Sequence, residues 1–76
     1  MKELVEFMAK SLVDSPEQVR VVAFEDEDGI RLELKVADED VGKVIGRQGR
    51  IAKALRTVLK AAAVKDGRKI SLEIVE

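Results

Sequence analysis

The residues of this chain best suited to hold a ligand lie in one short run, Val44, Ile45, Gly46, Arg47, Gln48, Gly49 and Arg50. Two glycines three positions apart enclose an arginine and a glutamine, and Lys43, Arg50 and Lys53 stand close on either side. A residue without Cβ takes φ > 0 without steric cost and lets backbone N–H groups approach an anion closely. Arg47 and Gln48 then project from the tip, a charge and an amide within reach of phosphate oxygens. A helix starting near Arg50 points its positive end the same way. The ligand chemistry these features indicate is a sugar-phosphate backbone, in a single-stranded nucleic acid.

The charge distribution agrees. The net charge of −1 conceals a division along the chain. Residues 1–41 hold 5 basic and 12 acidic side chains, residues 42–70 hold 9 basic and 1 acidic, and residues 71–76 add two acids. The middle segment therefore carries +8 against −7 before it. A basic block centred on the glycine loop supplies the local positive field that attracts phosphates.

Composition removes other chemistries. With no Cys, His, Trp or Tyr, the chain lacks disulfides, thiol or imidazole nucleophiles and the usual zinc ligands. We expect no metal, no cofactor and no enzymatic activity. The acids Glu25 to Asp28 before Gly29 do not follow the alternating spacing of a calcium loop, so they read as a solvated hairpin tip. The glycine loop lacks the Lys-Ser/Thr pair of a nucleotide-binding P-loop, and no βαβ unit precedes it. No apolar run approaches the ~20 residues of a membrane span. The first turns carry acids instead of an apolar signal region, so we expect a cytoplasmic protein with no membrane partner.

The elements that position the loop follow from periodicity. From Lys2 to Asp14 the residues Leu4, Val5, Phe7, Met8, Leu12 and Val13 recur at helical spacing, and Ser15-Pro16 ends the run. Phe7 is expected to be buried. Val19 to Glu27 reads as a strand, Asp28-Gly29 as a hairpin signal, and Ile30, Leu32, Leu34 and Val36 alternate with Arg31, Glu33 and Lys35. A two- or four-residue turn places Val19, Val21 and Ala23 on the buried side and Val22 and Phe24 outside; a three-residue bulged turn reverses this. Asp38 is placed to cap a short helix with Val41, Val44 and Ile45 facing inward. After the loop, Ile51, Leu55, Val58, Leu59 and Ala62 share one face and Arg50, Lys53, Thr57 and Lys60 the other. Asp66-Gly67 ends that helix, and Ile70, Leu72 and Ile74 alternate as a closing strand. The 76 residues suffice for one domain, with the order α-β-β-α-α-β. We expect an α+β fold with a mixed three-stranded sheet in the order 1-2-3, the last two strands parallel, covered on one face by three helices.

From Asp38 to Ala63 the chain resembles the KH domain, whose mark is an I-G-x-x-G loop joining two helices, here Ile45 to Gly49. The order of elements is similar to the bacterial type II arrangement. The whole chain looks most like the small stand-alone bacterial KH proteins of the KhpA (YlqC-like) family. That resemblance implies a groove for about four unpaired nucleotides. Gly46 to Gly49 would hold phosphates, with Lys43, Arg50 and Lys53 adding charge. Val44, Ile45 and Ala52 would form an apolar floor, although many KH sequences carry an aliphatic residue where this chain has Ala52. Lys65, Arg68, Lys69 and the strand around Leu72 would form the far wall. The implied role is RNA binding in post-transcriptional control or as an RNA chaperone, linked to envelope growth and division. A homodimer, or a heterodimer with a second KH-containing protein of the KhpB (Jag-like) kind, is also implied.

Blander readings stand beside these. Val44, Ile45 and Ile51 are equally placed for the core. Gly46 also fits a helix stop, and Gly49 an ordinary turn. Lys53, Arg56 and Lys60 fit the solvent face of a helix. The functional alternative to RNA binding is an interaction module that pairs with itself or another KH protein, for which Val22 and Phe24 would supply a surface.

Overall fold

A computed structural model describes residues 1–64 and 67–75. Its elements are α1 (Lys2–Leu12), β1 (Arg20–Glu25), β2 (Gly29–Lys35), α2 (Val41–Ile45), α3 (Arg50–Val64) and β3 (Lys69–Val75). Short 3-10 turns at Pro16–Gln18, Asp38–Asp40 and Arg47–Gly49 link them. Asp66, expected to help end the long helix, lies outside the described residues. The sheet order is β1-β2-β3, with β1 antiparallel and β3 parallel to β2. A tight hairpin suffices for the antiparallel pair, whereas the parallel pair needs the crossover that α2 and α3 provide. The fold is α+β, a mixed three-stranded sheet with three helices on one face.

The hairpin turn is even-numbered. Asp26 N donates to Gly29 O at 3.0 Å, leaving Glu27 and Asp28 as the tip. The Asp26 carboxylate accepts from Asp28 N at 2.8 Å and from Gly29 N at 3.0 Å. Glu25 therefore faces Ile30 and Val21 faces Leu34. Val19 and Val21 are buried with Leu32 and Leu34, while Val22 and Phe24 stand outside, 49% and 45% exposed. Ala23 was expected on the buried side but is exposed, because β1 is an edge strand that buries only Val21. Gly29 is needed less by the turn than by the neighbouring strand, since a Cβ there would lie 2.2 Å from Lys69 O.

One core joins the sheet to all three helices: Val21, Leu32, Leu34 and Leu72 from the strands, with Val5, Ala9, Val44, Leu55 and Leu59 above them. Several expectations need correction. Ile45, expected to face inward with Val41 and Val44, is 37% exposed. Phe7 is 71% exposed, because α1 turns Val5 and Ala9 inward and a residue two places from Val5 sits about 200° away around the helix. On α3 the buried stripe is Ala52, Leu55, Leu59 and Ala63, leaving Val58 44% exposed. The small side chains at both ends of that stripe let the helix approach the sheet closely. Asp38 makes no capping hydrogen bond, and neither does Asp40 at the N-cap of α2, whose fully buried carboxylate is turned to the segment after α1 instead.

Candidate nucleic-acid interface

The loop is built from backbone conformations that few residues adopt. Gly46 N donates to Gly42 O at 2.9 Å, closing α2, and the chain then leaves the helix with φ 77° and ψ 172° at Gly46, a region that is essentially glycine-only. A Cβ at Gly46 would also meet Ile51 Cγ1 at 2.6 Å and Ile51 N at 2.9 Å. Gln48 follows at φ 58° and Gly49 at φ 74°, the latter facing open space. Gly49 N donates to Gly46 O at 3.1 Å and Arg50 N to Arg47 O. The N–H groups of Arg47 and Gln48 have no acceptor among the described residues. Two adjacent N–H groups with no acceptor among the described residues, beside a left-handed turn, form a concavity suited to an anion.

Around this loop the fold gathers Ile45, Arg47, Gln48, Arg50 and Lys53, all exposed. Arg50 and Lys53 share one side of the first turn of α3. Arg47, Arg50 and Lys53 have no acidic partner within ion-pair distance among the described residues.

Two other candidates are placed differently. Lys43 Nζ is hydrogen-bonded to the Asp14 carboxylate and lies 3.8 Å from Asp40 Oδ1. The Asp14 bond holds its ammonium above the usual lysine range; partial desolvation opposes this, and the charges of Asp14, Asp40 and Glu39 add to it. Lys43 thus faces the segment after α1, on the β1 side of the molecule. Arg68 pairs with Glu25 at 3.4 Å. It precedes β3, whose Lys69 lies beside Gly29 at the start of β2. The loop lies beyond the other end of β2, a strand length of roughly 20 Å away. Arg68 therefore sits at the far end of the groove, apart from the loop cluster. Lys65 lies outside the described residues.

The apolar floor also changes. Val44 is fully buried and Ala52 is 4% exposed, so both belong to the core, and of the three floor candidates Ile45 alone is exposed. Leu72 is buried as well, so it offers the groove its backbone and not its side chain.

The groove runs between α3 and the free edge of β3. A hollow of about 330 Å³ is lined by Arg56, Leu59, Lys60, Ile70, Ser71 and Leu72. Arg56, which the sequence places on the solvent face, donates from Nε to Leu72 O at 3.2 Å. The available signal was its position in a basic series, Arg50, Lys53, Arg56 and Lys60, at spacings of three and four.

At the start of α2, Asp40 ties the two-helix unit to the rest of the chain. Its carboxylate accepts from Asp14 N at 3.2 Å and Ser15 N at 3.0 Å. The turn after α1 and the start of α2 are thereby held together.

Two helices joined by a left-handed glycine loop, packed on a mixed sheet whose last strand has a free edge beside the second helix, define a KH domain. A family model described as "KhpA/KhpB, KH domain" matches residues 2–74, and the chain belongs to this family. It is 64% identical over 75 residues to the RNA-binding protein KhpA of Clostridium perfringens, covering 99% of this chain and 100% of that one. The RNA-binding protein KhpA of Clostridium acetobutylicum is 61% identical over 75 residues, with 99% and 100% covered. That of Aquifex aeolicus is 50% identical over 76 residues, with 100% and 96% covered. No solved structure matches the chain.

Proposed function

We propose that this protein binds single-stranded RNA without acting as an enzyme, holding the phosphate backbone at Gly46 to Gly49. Bases would lie in the groove between α3 and β3. The observation that carries this reading is the loop itself: two N–H groups without an acceptor, flanked by Arg47, Arg50 and Lys53, three cations with no acidic partner, all among the described residues. Its relatives' names as RNA-binding proteins support the same reading. In this reading Gly46, Gly49, Arg47, Gln48, Arg50 and Lys53 hold phosphates and Ile45 touches the first nucleotide. Lys43 acts mainly as a strut to Asp14 and Asp40, and Arg68 meets the strand only at its far end. The lack of exposed aromatics near the loop leaves electrostatics as the main source of affinity. A role as a post-transcriptional regulator or RNA chaperone accords with weak binding dominated by the phosphate backbone.

The experiment is a salt titration of binding to a labelled single-stranded RNA and to a duplex of the same sequence. Neutralising about three phosphates on a single strand gives a log–log slope of roughly −2. We expect that slope together with a clear preference for the single strand. A slope near zero, or equal affinity for the duplex, would contradict the electrostatic groove.

Self-association is the second reading. The hairpin register leaves Val22 and Phe24 side by side on the outer sheet face, the Phe24 ring under Arg31 at 4.7 Å, and exposed β-branched and aromatic residues together mark contact surfaces. Val58 on the outer side of α3 is the rival surface, and a second KH protein is an alternative occupant of either. Light scattering separates these: we expect a dimeric parent at high concentration and a monomeric Phe24→Ser. Loss of the dimer in Val58→Asp instead assigns the contact to α3, and a monomeric parent ends the self-association reading.

A further inference from the structure

We infer that Arg56 selects the base in the groove, favouring one that presents two adjacent hydrogen-bond acceptors. This rests on the RNA reading above and extends it from backbone to base.

Arg56 lies in the middle of α3, two turns beyond the loop, and its guanidinium reaches across to the free edge of β3. Nε donates to Leu72 O at 3.2 Å. That single bond fixes the plane of the group, because a guanidinium is rigid and its five N–H donors point in set directions. With Nε engaged, the Nη1 and Nη2 edge remains as two parallel donors for a ligand in the hollow of about 330 Å³ that Arg56 helps to line. Beneath it Leu59 and Leu72 are almost fully buried, so the apolar surface left for a flat ring is the half-buried Ile70 side chain. Lys60 closes the same side one helical turn further on.

Two parallel donors discriminate among bases by geometry. Cytosine presents O2 and N3 as adjacent acceptors on its Watson–Crick edge, and guanine presents O6 and N7 on its Hoogsteen edge. Adenine alternates an acceptor with an amino donor on both edges, and uracil separates its two carbonyls by an N–H. Pairing the Arg56 fork with adenine or uracil therefore leaves a donor facing a donor or facing nothing. Bidentate arginine contacts of this kind are among the most base-specific known.

The test is fluorescence anisotropy with labelled octamers of rC, rA and rU, and an rU octamer carrying two guanosines or two 7-deazaguanosines. It uses the parent protein, Arg56→Lys, which keeps the charge but not the fork, and Arg56→Gln, which keeps neither. We expect the parent to bind rC or the guanosine octamer about tenfold more tightly than rA and rU. Loss of the gain on 7-deazaguanosine identifies the Hoogsteen edge, and its absence with a strong rC preference identifies cytosine. Arg56→Lys should lose the preference while keeping its rU affinity within about twofold, which also shows that it is folded. Arg56→Gln should lose the preference and bind every octamer more weakly. Equal binding of all octamers by the parent overturns the assignment of Arg56 alone, as does a preference that persists in Arg56→Lys. Failure of the parent to bind any octamer overturns the RNA reading itself.

Discussion

Replacing Arg47 and Gln48 together by Asp lowers the affinity for single-stranded RNA at least tenfold, equivalent to ~1.4 kcal/mol. The double substitution reverses the charge at the loop tip. It removes one cation, adds two anions and places them against the two N–H groups that the loop offers to phosphate. Both side chains are exposed and neither forms an ion pair among the described residues, so the core loses nothing. Gln48 already sits at φ 58°, a region that Asp tolerates better than most residues. Circular dichroism and the melting midpoint should therefore stay close to those of the parent. The salt slope should also become shallower, because fewer phosphate charges are neutralised. A double variant that binds as well as the parent would show that the backbone is held elsewhere. A variant that loses binding only because it unfolds would show up in the melting curve.

Asp40→Ala should lower stability by about 2–3 kcal/mol, the loss expected when a carboxylate accepting two backbone N–H bonds is removed from a buried site. In a chain of this size a loss of that order lowers the melting midpoint by ~10 °C or more. The reason lies in what Asp40 serves: the N–H groups of Asp14 and Ser15 lose their acceptor together, and Lys43 loses one of its two carboxylate partners. Asp40→Asn keeps one of the two acceptor oxygens and turns its NH2 toward the other backbone N–H, so it should recover only part of the loss. Thermal melts of the two variants beside the parent decide the matter. If Asp40→Ala melts with the parent, the carboxylate does not hold the turn after α1 to the start of α2. If Asp40→Asn melts as low as Asp40→Ala, the negative charge matters more than the hydrogen-bond geometry. Because Asp40 anchors the start of α2, the helix that ends at Gly46, a residual fold in Asp40→Ala should also bind RNA less tightly, the unpinned α2 presenting Gly46 less rigidly.

The order of elements was legible in the chain because each segment carries its own periodicity. Ile30, Leu32 and Leu34 alternate as only a half-buried strand does, and the glycines at 46 and 49 mark a break between two helical patterns. The loop was legible for a local reason too: positive φ and close approach are properties of single residues, and glycine announces them. The basic block from Gly42 to Ile70 needs no structure to be counted. Even the two hairpin alternatives were defined by the chain, since strand periodicity ties the buried set to the parity of the turn.

What the sequence could not decide were quantities set by partners distant along the chain. The register of β1 on β2 selected Val21 and not Val22 for the core, through an Asp26 to Gly29 turn whose closure depends on local hydrogen bonds. The rotation of α3 was undetermined because Ile51, Ala52, Ala54, Leu55, Val58, Leu59 and Ala61 to Ala63 are apolar over more than half the helix circumference. Contact with the sheet chose Ala52, Leu55, Leu59 and Ala63, and so turned Val58 to solvent. The same rotation brought Arg56 against the Leu72 carbonyl, while the packing of α1 beside α2 drew Lys43 to Asp14 and Asp40. Residue types and their periodicity thus determined which elements form and where the glycine loop falls, because both depend on neighbours in the chain. Which cations stay free beside that loop was decided by tertiary structure, because an ion pair depends on distance in space, and Asp14 is remote from Lys43 only along the chain.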